Sequence, residues 1–192
     1  MSYKNKDLEK LENKINYKFK NPDYLYLALT HSSFANENRV LDLQSNERIE
    51  FLGDSVLNIV ISDKIYKDFD LPEGEMTKKR SAIVRETSLE KCARKILLGN
   101  YLYMGKGEEI TGGRMRSSIL ADAFEALIGA VYLDGGMEAA SELILGLLGD
   151  EIDKSELSST FKDYKTILQE KVQSLHDIDL TYEIINETGP DH

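Results

Sequence analysis

Two short runs of this sequence hold acidic side chains at spacings that could do chemistry. In Asn46-Glu47-Arg48-Ile49-Glu50-Phe51-Leu52-Gly53-Asp54 the acids recur every three or four residues. At about 100° per residue, Glu47, Glu50, Asp54 and Asn58 share a helical arc of about 80°. Three like charges on one stripe repel each other, and the other faces of this helix are apolar (Ile49, Leu52, Val56, Ile59, Val60), so most of it is expected to be buried. The second run is sharper. Between Ile119 and Leu133 the only charged residues are Asp122 and Glu125, three apart and therefore neighbours on one face. Ionised carboxylates are almost never buried unless paired or bound to metal. The plain alternative is a buried salt bridge to an arginine such as Arg80.

Gly53 interrupts the first run beside Asp54, and Gly129 lies on the face of Asp122 and Glu125. Mid-helix glycine costs roughly 0.5–1 kcal/mol relative to alanine, so both are expected to permit close helix approach. Two such helices in contact would converge Glu50, Asp54, Asp122 and Glu125 into one all-oxygen site. Oxygen ligation selects a hard ion, Mg²⁺ with Mn²⁺ as substitute, over zinc or copper. A di-iron bundle would show Glu-x-x-His pairs, and neither helix has a histidine at that spacing. A divalent ion held by few carboxylates suits phosphate-ester hydrolysis.

The elements that must position these acids read mostly as helix. Leu8, Leu11 and Ile15 recur at helical spacing through residues 4–15. Asn21 is placed to cap a helix opening with Pro22 and running to about Thr30. The first acidic run opens a helix from Asn46 to about Phe69, ended by Leu71-Pro72-Glu73-Gly74. Further helices are expected over 75–85, over 87–99 (Thr87 and Glu90 as a capping box, Gly99 as the stop), over 117–134 and over 138–148. Gly135-Gly136 separates the last two, and a glycine-rich loop (Gly105, Gly107, Gly112, Gly113) precedes them. Residues 151–160 read as a linker. Beyond it come an amphipathic helix, 164–175, and an alternating strand, 180–185.

Composition narrows the function. Of 192 residues, 41% are hydrophobic and 30% charged, so a packed core is available and wholesale disorder is excluded. The longest apolar, charge-free stretch is 126–133, far short of a membrane helix, which needs about 20 residues. One cysteine, Cys92, excludes an internal disulfide and a cysteine-based zinc site. Residues 1–100 are nearly neutral (+1), whereas 101–192 carry −11, which together give the net −10. A bulk-basic nucleic-acid binder is not indicated. The local exception is 76–95, where Lys78, Lys79, Arg80, Arg85, Lys91, Arg94 and Lys95 face only Glu86 and Glu90. Cys92 is expected as a small buried hydrophobe, His31 as a hydrogen-bonding group at a helix end and His176 as solvated.

The run 46–57 resembles the signature of the ribonuclease III family. The likeness continues through Ala28-Leu29-Thr30-His31-Ser32-Ser33, Glu73-Gly74 and Ala121-Asp122-Ala123-Phe124-Glu125-Ala126. It implies an all-α endonuclease domain over 1–150, then the 151–160 linker. Residues 161–192 resemble the opening of an α+β double-stranded-RNA-binding domain, expected to be truncated at His192. The resemblance implies a Mg²⁺-dependent endoribonuclease, homodimeric and cytoplasmic, with no membrane and no organic cofactor. It would cut double-stranded RNA to 5′-phosphate and 3′-hydroxyl ends, in rRNA and mRNA precursor processing and RNA turnover. Matched by position, Glu50, Asp54, Asp122 and Glu125 are the metal ligands, with Asp54 and Glu125 catalytic. Glu47 and Glu73 match acids that border the cut site and face the partner subunit, and Phe51 matches a dimer-contact aromatic. Thr166, Gln169 and His192 match RNA contacts, and Lys78 and Lys79 are candidate phosphate contacts. Two alternatives stand beside this reading: a helical Mg²⁺-dependent nucleotide pyrophosphohydrolase, and a non-catalytic double-stranded-RNA-binding relative.

Overall fold

The longest apolar-periodic segments become the two helices around which everything else is arranged. In a computed structural model, which describes residues 8–158 (side chains through Asp153) and Val172, these are α4 (Glu47–Asp68) and α8 (Ser117–Ser158). The chain divides into two compact units, Met1–Ser155 and Glu156–His192, and the description below concerns the first. Before α4 come α1 (Leu8–Ile15), α2 (Pro22–Ala28) and α3 (Ser32–Glu37); between α4 and α8 lie α5 (Glu73–Ile83), α6 (Glu86–Lys95) and α7 (Lys106–Ile110). The expected helix 164–175, the strand 180–185 and the incomplete RNA-binding domain lie outside the described residues.

One core serves the unit. The inner face of α8 (Leu120, Phe124, Leu127, Ile128, Val131) shares one buried core with Val56, Leu57, Val60 and Ile61 of α4 and Leu89, Cys92 and Ala93 of α6. Phe124 is fully buried and is among the largest side chains in that core. Ile59, which the apolar pattern assigns to the core, is instead exposed, because it falls on the outer face of α4 with Phe51 and Tyr66.

Several ends behave as the sequence predicts. Asn21 caps α2, its side chain accepting from the Asp23 N–H at 3.0 Å, with Pro22 in the first turn. His31 caps α3: its Nδ1 accepts from the Ser33 N–H at 3.2 Å. Gly136, at φ 80°, breaks α8 at the expected Gly135-Gly136 position. The segment after it continues helical through Ser158, ten residues past the expected end and into the 151–160 stretch.

Other ends differ. The capping box at Thr87 does not form: α6 opens at Glu86 after Arg85, and Glu90 accepts from Arg94 Nε at 2.8 Å one turn on. Gly99 is not the stop of α6, which ends at Lys95 with Leu97 in the left-handed region. Gly99 serves close packing instead, since a Cβ there would strike the Arg114 carbonyl. α3 and α7 are additions. α7 forms inside the glycine-rich loop because the Glu37 carboxylate accepts from the Lys106 N–H at 2.9 Å and the Gly107 N–H at 3.3 Å.

The start of α4 is held from three sides. Thr30 and Tyr103 form an isolated parallel bridge, in which Tyr103 N–H donates to Leu29 at 2.8 Å and His31 N–H donates to Tyr103 at 3.0 Å. Asn46 N–H donates to the Thr30 carbonyl at 2.9 Å, and the buried Asn46 side chain donates to Ala28 at 3.3 Å. These bonds pair the backbone groups of 28–31 with their neighbours, and they give the acid-bearing end of α4 a defined position.

Candidate metal centre

Where α4 crosses α8, the two backbones touch through glycine. A Cβ on Gly53 would fall into the Glu125 carbonyl, and one on Gly129 into the Ile49 carbonyl. No side chain fits at either point, which explains two mid-helix glycines that propensity disfavours. The crossing sets one turn of α4 against one turn of α8. Glu50 is three residues before Gly53, and Asp122 and Glu125 precede Gly129 by two turns and one.

Glu50, Asp122 and Glu125 each place a carboxylate oxygen within 4.8 Å of the other two. Glu50 and Glu125 are half-buried. Partial burial, then the charges of Asp122, Glu47 and Asp54, push Glu50 up to about 7. Burial, then Asp54, Glu50 and Asp122, push Glu125 up to about 8. Asp122 is raised by burial and by Glu86, with His31 acting in the opposite direction. Among the described residues no basic side chain forms an ion pair with any of the three. The alternative partner, Arg80, donates from Nη1 to Ser62 Oγ at 3.0 Å instead.

Such an arrangement is costly without a cation and favourable with one. Oxygens around a hard divalent ion at about 2.1 Å stand about 3–4 Å apart, so the three acids need only a small inward rotation to hold it. The donor set is all oxygen, as Mg²⁺ or Mn²⁺ requires. Asp54 stands beside the trio rather than in it. It is exposed, and its Oδ1 accepts from Asn58 Nδ2 at 2.8 Å. Its charge still reaches both glutamates.

Comparison with known proteins bears directly on this site. Residues 21–151 match the family model described as Ribonuclease-III-like. Ribonuclease 3 of Caldanaerobacter subterraneus subsp. tengcongensis is 57% identical over 183 residues, 95% of this chain and 80% of the relative. That of Clostridium tetani is 49% identical over 187 residues, 97% and 79% of the two chains. The solved nuclease domain of ribonuclease III from Campylobacter jejuni is similar at a TM-score of 0.70 and 40% identity, covering 76% of this chain and 98% of that one. The chain belongs to the ribonuclease III family. As a member of the ribonuclease III family it is an endoribonuclease, and the pyrophosphohydrolase alternative is set aside.

The remaining ribonuclease III positions are spread more widely. Glu47, exposed in the first turn of α4, accepts from Ser45 Oγ at 2.8 Å. Glu73 opens α5, accepts from Thr77 Oγ1 at 3.1 Å, and lines an open groove of about 450 Å³ with Ser62, Tyr66, Met76 and Arg80. None of the four central acids borders that groove. Phe51 is 76% exposed, which excludes packing in its own core. Lys78 is exposed, but Lys79 is buried. The Lys79 ammonium lies 4.0 Å from the centroid of the Phe69 ring. Lys79 is therefore withdrawn as a phosphate contact: it falls on the inner face of α5 with Ile83. Thr166, Gln169 and His192 lie outside the described residues.

Cys92 is buried, as expected: its Sγ donates to the Leu147 carbonyl at 3.3 Å, and burial pushes its thiol up to about 11. Two groups to which the sequence assigns no role at the metal centre also bear on Asp122. Glu86, at the start of α6, adds negative charge, and His31 opposes it. Local spacing does not place either beside Asp122, because both reach the site only through folding. Asn58 was visible in the acidic arc, and its meaning lies in its bond to Asp54.

Proposed function

We propose that the chain hydrolyses phosphodiester bonds of double-stranded RNA with Mg²⁺, leaving 5′-phosphate and 3′-hydroxyl ends, in the processing of rRNA and mRNA precursors and in RNA turnover. The observation that carries this reading is the convergence of Glu50, Asp122 and Glu125 without a cationic partner among the described residues. These three, with Asp54, would hold the ion. A divalent ion so held supplies a water of lowered pKa and stabilises negative charge on the phosphoryl oxygens.

The protein's own groups do the rest. Glu50 and Glu125, raised to about 7 and about 8, carry protons for part of the time near neutrality and release them as the site fills. Asp54 and Glu125 are the proposed catalytic pair, one on each crossing helix. The close approach of the helices at Gly53 and Gly129 brings their backbones together beside this pair. Glu47 and Glu73 are proposed to border the cut site.

A homodimer belongs to the same reading. Phe51, Ile59 and Tyr66 form an exposed apolar stripe along α4, and such stripes on a soluble surface favour protein contacts. The Campylobacter jejuni nuclease domain is described as having a region involved in dimer formation. A shared valley between two subunits would accept an A-form duplex, with Lys78 at its phosphates and Thr166, Gln169 and His192 at 2′-hydroxyls. A cytoplasmic site of action is part of the proposal, since bacterial transcripts are made there.

The test is incubation of a long, end-labelled RNA duplex at low salt with Mg²⁺ or with EDTA, followed by a denaturing gel. Magnesium-dependent conversion to short products with 5′-phosphates is expected, and Glu125→Gln should lose it while keeping the fold. Undiminished cutting by a pure Glu125→Gln sample would remove Glu125 from the mechanism.

A further inference from the structure

We infer that Asn58 is a positioning residue for the metal centre, its side-chain amide fixing the carboxylate of Asp54 beside the three converging acids. The inference rests on the nuclease reading above. Asn58 sits one turn after Asp54 on α4, and its Nδ2 donates twice to that residue. One bond reaches Oδ1 at 2.8 Å and the other reaches the backbone carbonyl at 3.0 Å. A primary amide nitrogen carries two hydrogens, so both are used on residue 54.

The chemistry of that partner matters. Asp54 stands in the open beside three other acids, and its charge is felt at Glu50 and Glu125. Left to itself, its carboxylate would turn away from them into water. A lysine or arginine at position 58 would hold it, but would also cancel its charge and compete with a metal ion. A neutral amide orients the carboxylate and leaves the charge intact. The bond to Asn58 takes one acceptor position of Oδ1 and holds the carboxylate in one orientation. Hydrogen bonds to ligating carboxylates act in this way in metal sites generally.

Asn58→Ala removes the donor at a helix position where alanine is favoured, so folding should be preserved. Mn²⁺ binding to the full chain, followed by electron paramagnetic resonance without RNA, is measured beside kcat and KM for a duplex with Mg²⁺. For Asn58→Ala, the Mn²⁺ dissociation constant is expected to rise about tenfold and kcat to fall about 10- to 100-fold, with KM for RNA little changed. Asn58→Gln, which keeps the amide on a longer arm, should recover part of both. An Asn58→Ala protein that binds Mn²⁺ and cuts like the wild type would overturn the assignment. A wild-type protein that neither binds Mn²⁺ nor cuts would overturn the nuclease reading itself, so the two failures are distinguishable.

Discussion

The carbonyl of Glu125 occupies the place where a side chain on Gly53 would begin. This contact joins the two acid-bearing helices, and it makes one prediction about stability. Gly53→Ala forces α4 and α8 apart at their crossing, and overpacking of this kind costs about 1–3 kcal/mol or more. For a unit of this size that lowers the melting temperature by at least about 3 °C, and the stabilisation by Mg²⁺ should fall with it. Gly146→Ala is the control. Gly146 is exposed, with nothing within 4 Å of where its methyl group would stand, and alanine there should be neutral or stabilising by up to about 1 kcal/mol. Equal melting of Gly53→Ala and wild type, by calorimetry, would contradict the close crossing.

The raised glutamates make stability depend on pH. Glu50 and Glu125 titrate near 7 and 8 when folded, against about 4.3 in an unfolded chain. A carboxyl raised by folding contributes stability that is fully present below its unfolded value and is lost as pH rises through its folded value. In EDTA, the melting temperature is therefore expected to fall between about pH 5 and pH 8. Mg²⁺ binds the ionised acids, so the gap between melting with and without the ion should widen over the same range. Glu125→Gln should flatten the metal-free profile. A wild-type profile that is flat in EDTA and identical in Glu125→Gln would show that the acids do not repel.

Phe51 separates assembly from folding. Because the ring is 76% exposed in the single chain, Phe51→Ala should leave the melting of an isolated subunit within about 0.5 kcal/mol. Sedimentation should nonetheless show the mass falling from that of a dimer to that of one chain. A Phe51→Ala protein that stays dimeric at low concentration would move the interface elsewhere.

The two neighbouring lysines should behave differently. Lys78→Ala is expected to weaken RNA binding and reduce the slope of log affinity against log salt by about 0.7–0.9. Lys79→Ala should leave that slope unchanged and cost about 0.5–2 kcal/mol through loss of the contact with Phe69. Filter binding across a salt series, with melting curves alongside, distinguishes the two. A salt slope lowered equally by both would return Lys79 to the RNA-contacting surface.

The sequence by itself determined the longer helices and the acids. Periodicity is a local property: the repeat of Ile49, Val56 and Val60 marks 46–69 as a helix, though less of it is buried than its apolar residues suggest, and the otherwise uncharged run 119–133 states that Asp122 and Glu125 need a reason to be there. Gly53 and Gly129 also carried their meaning locally, since only a close approach justifies an unfavoured residue twice in helix interiors. The rest required the tertiary structure. Whether Arg80 would neutralise the acids depended on the packing of α5 against α4, which turns it to Ser62. The same packing turned Lys79 inward onto Phe69 and left Lys78 outside, a distinction that no charge count makes. The capping box at Thr87 did not form: α6 opens one residue earlier, at Glu86, and Glu90 is taken by Arg94. Finally, helical spacing put four acids within reach of one another, but side-chain rotamers decided that three converge while Asp54 is held by Asn58. Spacing along a chain defines which face a residue lies on, whereas the atom it meets is chosen by its rotamer and by the neighbours that folding brings.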